Sequence, residues 1–310
     1  MIRAFLPLDV LDIALQGRSL SNKARTKDNV ATGITFFGGL ASLLGQWFSP
    51  RGRFCVWVCS EGFSLRGLSS VRDRSSPQAW EVDRLLLREQ DGDCCLALLE
   101  QVSLAGGELA VEKVFLRLPD TSPLLSAAEQ SGFSPYVTER LYWREREKQE
   151  AVVGDAPAGE SSAVSPPRRR QVDDDYRLFE LYQRRIPTPV RRVEGATFAQ
   201  WKANRDRSVG QEWVFEKGGG LVGWAALDTD GERGRLEATA ISDDELERVL
   251  EYGLTNLSGC RHLFCLVPEF EQELLRMLES RGFSQVSRYS VLSKDLLARA
   301  QEPCLVPAGA

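Results

Sequence analysis

Two stretches of eleven residues, 124–134 (LLSAAEQSGFS) and 274–284 (LLRMLESRGFS), agree at six positions at an offset of 150. In each, the apolar spacing predicts a short amphipathic helix closed by Gly-Phe and followed by strand-like residues. An apolar run closing on proline precedes each copy, VFLRLP up to Pro119 and LFCLVP up to Pro268. The chain therefore reads as one αβ unit used twice, and any fold assigned to it must accommodate that duplication.

A length of 310 residues implies two domains on size alone, the same count as the repeat. The 39 basic and 44 acidic side chains leave a net charge of -5, so no basic field draws in nucleic acid or an anionic membrane, and neither is an expected partner. Seven cysteines without a basic-then-apolar leader predict free thiols in a reduced, cytoplasmic protein. Their spacings, including Cys260 and Cys265 around the lone His262, lack the tight pairs of a zinc site, and no metal is expected. The stretch from Asn29 to Pro50 carries no charge, but its polar residues and glycines interrupt it too often for a membrane span; it reads as a buried or loosely helical connection.

The domain boundaries read from composition are 1–147 for the first unit, 148–172 for a flexible linker, 173–297 for the second unit and 298–310 for a disordered tail. The linker is rich in Pro, Gly, Ala, Ser and charge, and its basic triplet 168–170 and acidic triplet 173–175 read as solvated. In the first unit a strand over 2–6 and polar helical residues through Lys27 precede strands over 54–59 and 65–71, which flank a hairpin turn at Glu61-Gly62. A third strand (80–88), a helix (93–102), a strand (111–118), a helix (123–131) and a last strand (133–143) follow. The second unit has a helical preface at 176–185 and a short helix capped by Thr197. It then repeats the order with strands over 213–217, 221–227 and 235–240, a helix over 243–254, a strand over 262–267, a helix over 269–281 and a strand over 284–292. The fold class is α/β of the α+β type, each unit a mixed central sheet flanked by helices.

An antiparallel meander leading into strand, helix, strand, helix, Gly-Phe and a last strand resembles the GNAT superfamily of N-acetyltransferases, here as two tandem domains. The residues that carry the resemblance are Gly132-Phe133 and Gly282-Phe283 with the helices before them, and the pair of strands before each. The resemblance implies acetyl-CoA as cofactor, lying between two splayed parallel strands with its pyrophosphate on backbone N–H groups at the next helix N-terminus. The superfamily's loop there is Arg or Gln, two residues, Gly, one residue, then Gly or Ala. The first unit reads Arg88-Glu89-Gln90-Asp91-Gly92-Asp93, one residue out of register and with a single glycine. The second reads Ile241-Ser242-Asp243-Asp244-Glu245, with none.

Ser242 and Glu245 have capping-box spacing, which turns the helix-end donors toward side chains, and both loops place carboxylates where a pyrophosphate would lie. Where the superfamily often has a tyrosine four residues before the glycine of Gly-Phe, this chain has Ala128 and Leu278. The candidate catalytic bases are the strand carboxylates Glu81, Asp83 and Glu237, and the candidate cofactor-binding residues are Arg84, Arg88 and Gly92. Aromatic residues near these strands, Trp80, Trp143, Trp213, Trp224, Tyr136 and Tyr142, serve equally as pocket lining or as core.

Three readings follow. In the first, the tandem is catalytically degenerate and binds a small molecule, a peptide or a partner in the former cleft. In the second, it is an acetyl-CoA-dependent N-acetyltransferase working in the first unit's cleft. In the third, it is a structural scaffold. The two domains are expected to pair within the chain, the last strand of each completing or crossing into its neighbour's sheet.

Overall fold

The computed structural model describes residues 1–6, 8–11, 20–30, 55–62, 64–88, 91–146, 165–206 and 210–296. In the first unit β1 (Ile2–Ala4) and β2 (Ser21–Asn22) precede the meander of β3 (Val56–Glu61), β4 (Ser64–Asp73) and β5 (Ala79–Leu87). Helix α1 (Gly92–Glu108), β6 (Lys113–Pro119), α2 (Leu125–Gln130) and β7 (Ser134–Glu145) complete it. The second unit starts with β8 (Arg168–Arg169), a 3-10 turn (Val172–Asp174) and three helices, α3 (Asp175–Arg185), α4 (Thr188–Glu194) and α5 (Phe198–Asn204). It then repeats the pattern as β9 (Gln211–Lys217), β10 (Gly220–Thr229), β11 (Arg233–Ala240), α6 (Asp243–Asn256), β12 (His262–Pro268), α7 (Gln272–Ser280) and β13 (Ser284–Asp295).

The repeated Gly-Phe is a helix stop used twice. Gly132 and Gly282 follow α2 and α7 at φ 88° and 78°, a left-handed backbone that glycine adopts without the steric cost of a Cβ. The next amide turns back, Phe133 N–H donating to the Ala128 carbonyl and Phe283 N–H to Leu278, both at 3.1 Å. Each phenylalanine is thereby delivered into its own unit's core, where Phe133 is 2% and Phe283 5% exposed.

The described strands all join one 13-stranded sheet, ordered β1-β3-β4-β5-β6-β13-β7-β12-β11-β10-β9-β8, with β2 beside β5. The last strands are exchanged. β13, from the second unit, pairs with β6 of the first from Tyr289↔Pro119 to Asp295↔Lys113. β7, from the first, pairs with β12 of the second from His262↔Glu145 to Pro268↔Glu139. Between them β7 and β13 run antiparallel, making the seam between the units. Tyr289 and Glu139 stand 150 residues apart and face the prolines that end β6 and β12, so the seam repeats the sequence symmetry.

Three local expectations change. The residues before Lys27 were expected to be helical, yet 21–22 form β2. The basic triplet is not a solvated linker: Arg168–Arg169 pair with β9, Arg168 holds Asp174 at 2.7 Å, and Arg170 pairs with Asp175. Buried carboxylates at the start of α3 give those arginines fixed partners. Helix α4, not expected from the sequence, starts at Thr188 with Pro189 in its first turn, where proline's fixed φ suits a helix. The uncharged stretch beyond Val30, residues 147–164 with the first part of the linker, and residues 297–310 with the tail lie outside the described residues. Among the described residues no helix is long and apolar enough to cross a membrane, and the six described cysteines are buried thiols outside any disulfide.

Candidate functional site

Each unit contains one parallel strand pair that starts in register and then diverges. In the first, β5 and β6 pair at Ala79↔Lys113, Trp80↔Val114 and Glu81↔Phe115, and no further. In the second, β11 and β12 pair from Arg233↔His262 to Leu236↔Cys265. Beyond those points the strands leave a wedge in the sheet, with backbone groups on either side.

The first wedge is filled by the chain itself. Ser21 and Asn22 pair with Leu87 and Leu86 of β5. The Lys23 N–H donates to the Leu85 carbonyl and the Arg25 N–H to the Arg117 carbonyl, both at 2.9 Å, so one extended segment bonds both diverging strands. The Asn22 side chain adds an acceptor for the Leu85 N–H at 2.9 Å. Between them Ala24 is 0% exposed and belongs to the first unit's core.

The second wedge opens into a cavity of about 230 Å³. Its walls are Glu237, Ala238 and Thr239 of β11, Leu266 and Pro268 of β12, Leu178, Leu181 and Tyr182 of α3, and Ile186 just after that helix. Its far end is ionic. Lys27, two residues past the segment that fills the first wedge, puts its Nζ 2.8 Å from the Glu237 carboxylate. Arg117 holds Glu139 at 2.6 Å and Glu81 at 3.4 Å. Arg72 holds Glu81 at 2.7 Å and also pairs with Asp28. Asp206, just after α5, lies 3.5 Å from both Arg74 and Arg117. Glu194, at the end of α4, accepts from the hydroxyls of Tyr136 and Tyr182, each at 3.2 Å.

These charges tune one another. Burial opposes ionisation of Asp206, but the fields of Arg74, Lys27, Arg117 and Arg72 outweigh it and hold the carboxyl well below its ordinary range. Glu81 is pushed up by burial and by Asp206, against the pull of three arginines. Burial also pushes Glu194 up, and the fields of Arg74 and Lys27 and the Tyr136 hydrogen bond offset this only in part.

The helix ends that would meet a pyrophosphate are occupied. At α1 the Asp91 carboxylate accepts from the Cys94 N–H at 3.1 Å and from Arg66 at 2.7 and 2.9 Å. At α6 the Ser242 hydroxyl accepts from the Glu245 N–H at 3.5 Å. The Glu245 carboxylate does not reach back to complete a capping box; it pairs with Lys217 at 2.8 Å and Arg248 at 3.1 Å.

Of the candidate residues, Glu237 lines the cavity, and Glu81 is buried behind it, held by Arg72 and by the cavity-lining Arg117. Asp83 is held elsewhere: it accepts from Ser70 at 2.6 Å and lies 3.4 Å from Arg84. Arg88 donates to Ser64 at 2.9 Å, and Gly92 opens α1 behind the Asp91 cap. Arg84, Arg88 and Gly92 therefore border a wedge already taken by residues 21–25. Glu89 lies outside the described residues. Ala128 and Leu278 are fully buried core residues. Sequence reasoning missed Lys27, Arg117, Glu139, Glu194 and Asp206. The one signal was Arg117, a lone charge inside the apolar run VFLRLP. Among the described residues no group of His, Cys, Asp and Glu is arranged to hold a metal ion.

Neither a protein-family model nor a curated protein matches the chain. Solved structures do. The chain matches a GCN5-related N-acetyltransferase from Sphaerobacter thermophilus over 95% of each chain, at 16% identity and a TM-score of 0.52. It matches a tandem GNAT protein from the clavulanic acid biosynthesis pathway over 93% of each, at 15% identity and a TM-score of 0.50. A conserved protein of unknown function from Staphylococcus epidermidis is covered over 99% of its length by 86% of this chain, at 11% identity and a TM-score of 0.50. The protein has the tandem GNAT fold.

Proposed function

We propose that this tandem GNAT-fold protein is a ligand-binding module rather than an acetyltransferase, with the second unit's cavity as its binding site. The observation that carries this reading is the segment 21–25, whose backbone takes up hydrogen-bonding groups of both strands in the first wedge. A cofactor threading that wedge would have to displace a paired strand and a buried alanine. The residues at the helix ends do not fit a pyrophosphate either, since Asp91 and Ser242 already accept from the amides there and carboxylates stand beside them.

The acetyltransferase reading retains one supporting feature, the open wedge of β11 and β12 with Glu237 at its apex, so it moves from the first unit to the second. Thermal unfolding with millimolar CoA and acetyl-CoA separates the two. A ligand present at 100 times its Kd raises stability by about 2.7 kcal/mol. The binding-module reading expects no shift in midpoint; a saturable rise with either compound transfers the assignment to the acetyltransferase.

A further inference from the structure

We propose that the cavity takes a small molecule bearing a guanidinium group, held between Asp206 and Glu194, with its aliphatic or aromatic body against the apolar wall. This inference rests on the cavity being the binding site.

The ionic end of the cavity is short of positive charge. Among the described residues six carboxylates, Asp28, Glu81, Glu139, Glu194, Asp206 and Glu237, stand around four cations, Lys27, Arg72, Arg74 and Arg117. Glu194 is the acid without an ion-pair partner, its oxygens met only by the two tyrosine hydroxyls. Asp206 has cations 3.5 Å away, yet both of its carboxylate oxygens are buried without a hydrogen bond. The Thr239 hydroxyl, on the second wedge, is also buried and unbonded. Buried acceptors left without donors are rare in folded proteins, and these border a cavity large enough for a small ligand.

The missing group is therefore a cation with several N–H donors. A guanidinium supplies five in one plane, enough to serve two carboxylates at once, and it keeps its charge when buried, whereas burial strips the proton from an amine. Its nitrogens are poor nucleophiles while protonated, which suits a site that binds without transferring a group. Leu178, Leu181 and Ile186 on one side, with Leu266 and Leu274 on the other, leave an apolar slot for the rest of the molecule.

The test is isothermal titration of the full-length protein with n-butylguanidine, n-butylamine and butanoate. The expected result is saturable binding of butylguanidine at one site, weaker binding of butylamine and none of butanoate. Glu194→Gln and Asp206→Asn, each checked by circular dichroism to be folded, are expected to weaken butylguanidine by about tenfold or more, as loss of a charge-assisted hydrogen bond does. Should Asp206→Asn not fold, Glu194→Gln decides alone. Butylguanidine binding equally to wild type and Glu194→Gln, or no more tightly than butylamine, overturns the assignment. Butanoate binding alone overturns it but leaves the cavity as a binding site. No heat with any of the three overturns both.

Discussion

The Lys27 ammonium stands 2.8 Å from the Glu237 carboxylate, 210 residues away in the chain. The pair links the segment that fills the first unit's wedge to the strand that lines the second unit's cavity. Arg235, two residues before Glu237, donates to the Lys27 carbonyl and fixes the same junction through the backbone.

Replacing Lys27 by Met leaves Glu237 without its cation at the cavity edge. The expected loss is about 1.5–3 kcal/mol in urea unfolding, the range for hydrogen bonds to charged groups. Adding Glu237→Gln to that variant is expected to restore part of the loss, which a double-mutant cycle measures. Burial opposes the Lys27 charge, but Glu237, Asp206 and Glu139 raise its pKa above the ordinary lysine value. Its contribution is therefore complete below about pH 10 and is lost only as pH rises through the folded-state value.

Cutting the chain between residues 155 and 156 tests the strand exchange. Residues 1–155 expressed alone lack the strand that pairs with β6, and their own β7 has lost β12. They are expected to be insoluble or unfolded by circular dichroism. Co-expressed with 156–310, the two pieces are expected to copurify as a folded 1:1 complex. A well-folded, monomeric 1–155 rejects this prediction.

Asp206 and Asp174 shape the acid limb of the stability curve. The Arg168 hydrogen bonds lower the Asp174 pKa, and the surrounding cations lower that of Asp206. The stability they contribute is complete above the ordinary aspartate value of about 3.9 and is lost as pH falls through their depressed values. Glu194 acts in the opposite sense: its raised pKa makes stability fall as pH rises from about 4.3 to its folded value. Thermal melts across pH are expected to show a shallower acid limb for Asp206→Asn, and for Glu194→Gln no fall over the Glu194 window.

Phe133→Ala and Phe283→Ala each empty a buried site behind a helix-stopping glycine. Each is expected to cost about 3–5 kcal/mol. Equal losses at the two positions, measured by chemical denaturation, would reflect the duplicated packing; a loss below about 1 kcal/mol at either rejects a core role there.

Most elements of both units were legible because their signals are local. The apolar runs ending at Pro119 and Pro268, the Thr197 cap and the two Gly-Phe stops each act within a few residues of chain. The segment at 21–25 was not legible, since polar residues that pair with strands 60 and more positions away leave no periodicity of their own. The cavity was only half legible. Glu81 and Glu237 stood out as acids on strands, but the residues that give the site its character lie on β6, β7 and α4, just after α5, and beside β2. Only the folded sheet brings them together. The exchange of β7 and β13 was foreseen as one outcome of duplication, and the register pairs display it residue by residue.

That exchange also alters what the residues between the units accomplish. In a pair of separate subunits with swapped strands, assembly depends on concentration and two like copies compete with the unlike pair. Joined in one chain, the unlike halves meet at a fixed, high effective concentration, and pairing of two first halves from separate chains is at a disadvantage. One half can then hold its own N-terminal segment in its wedge while the other keeps an open cavity, because the stoichiometry that unites them is set at translation.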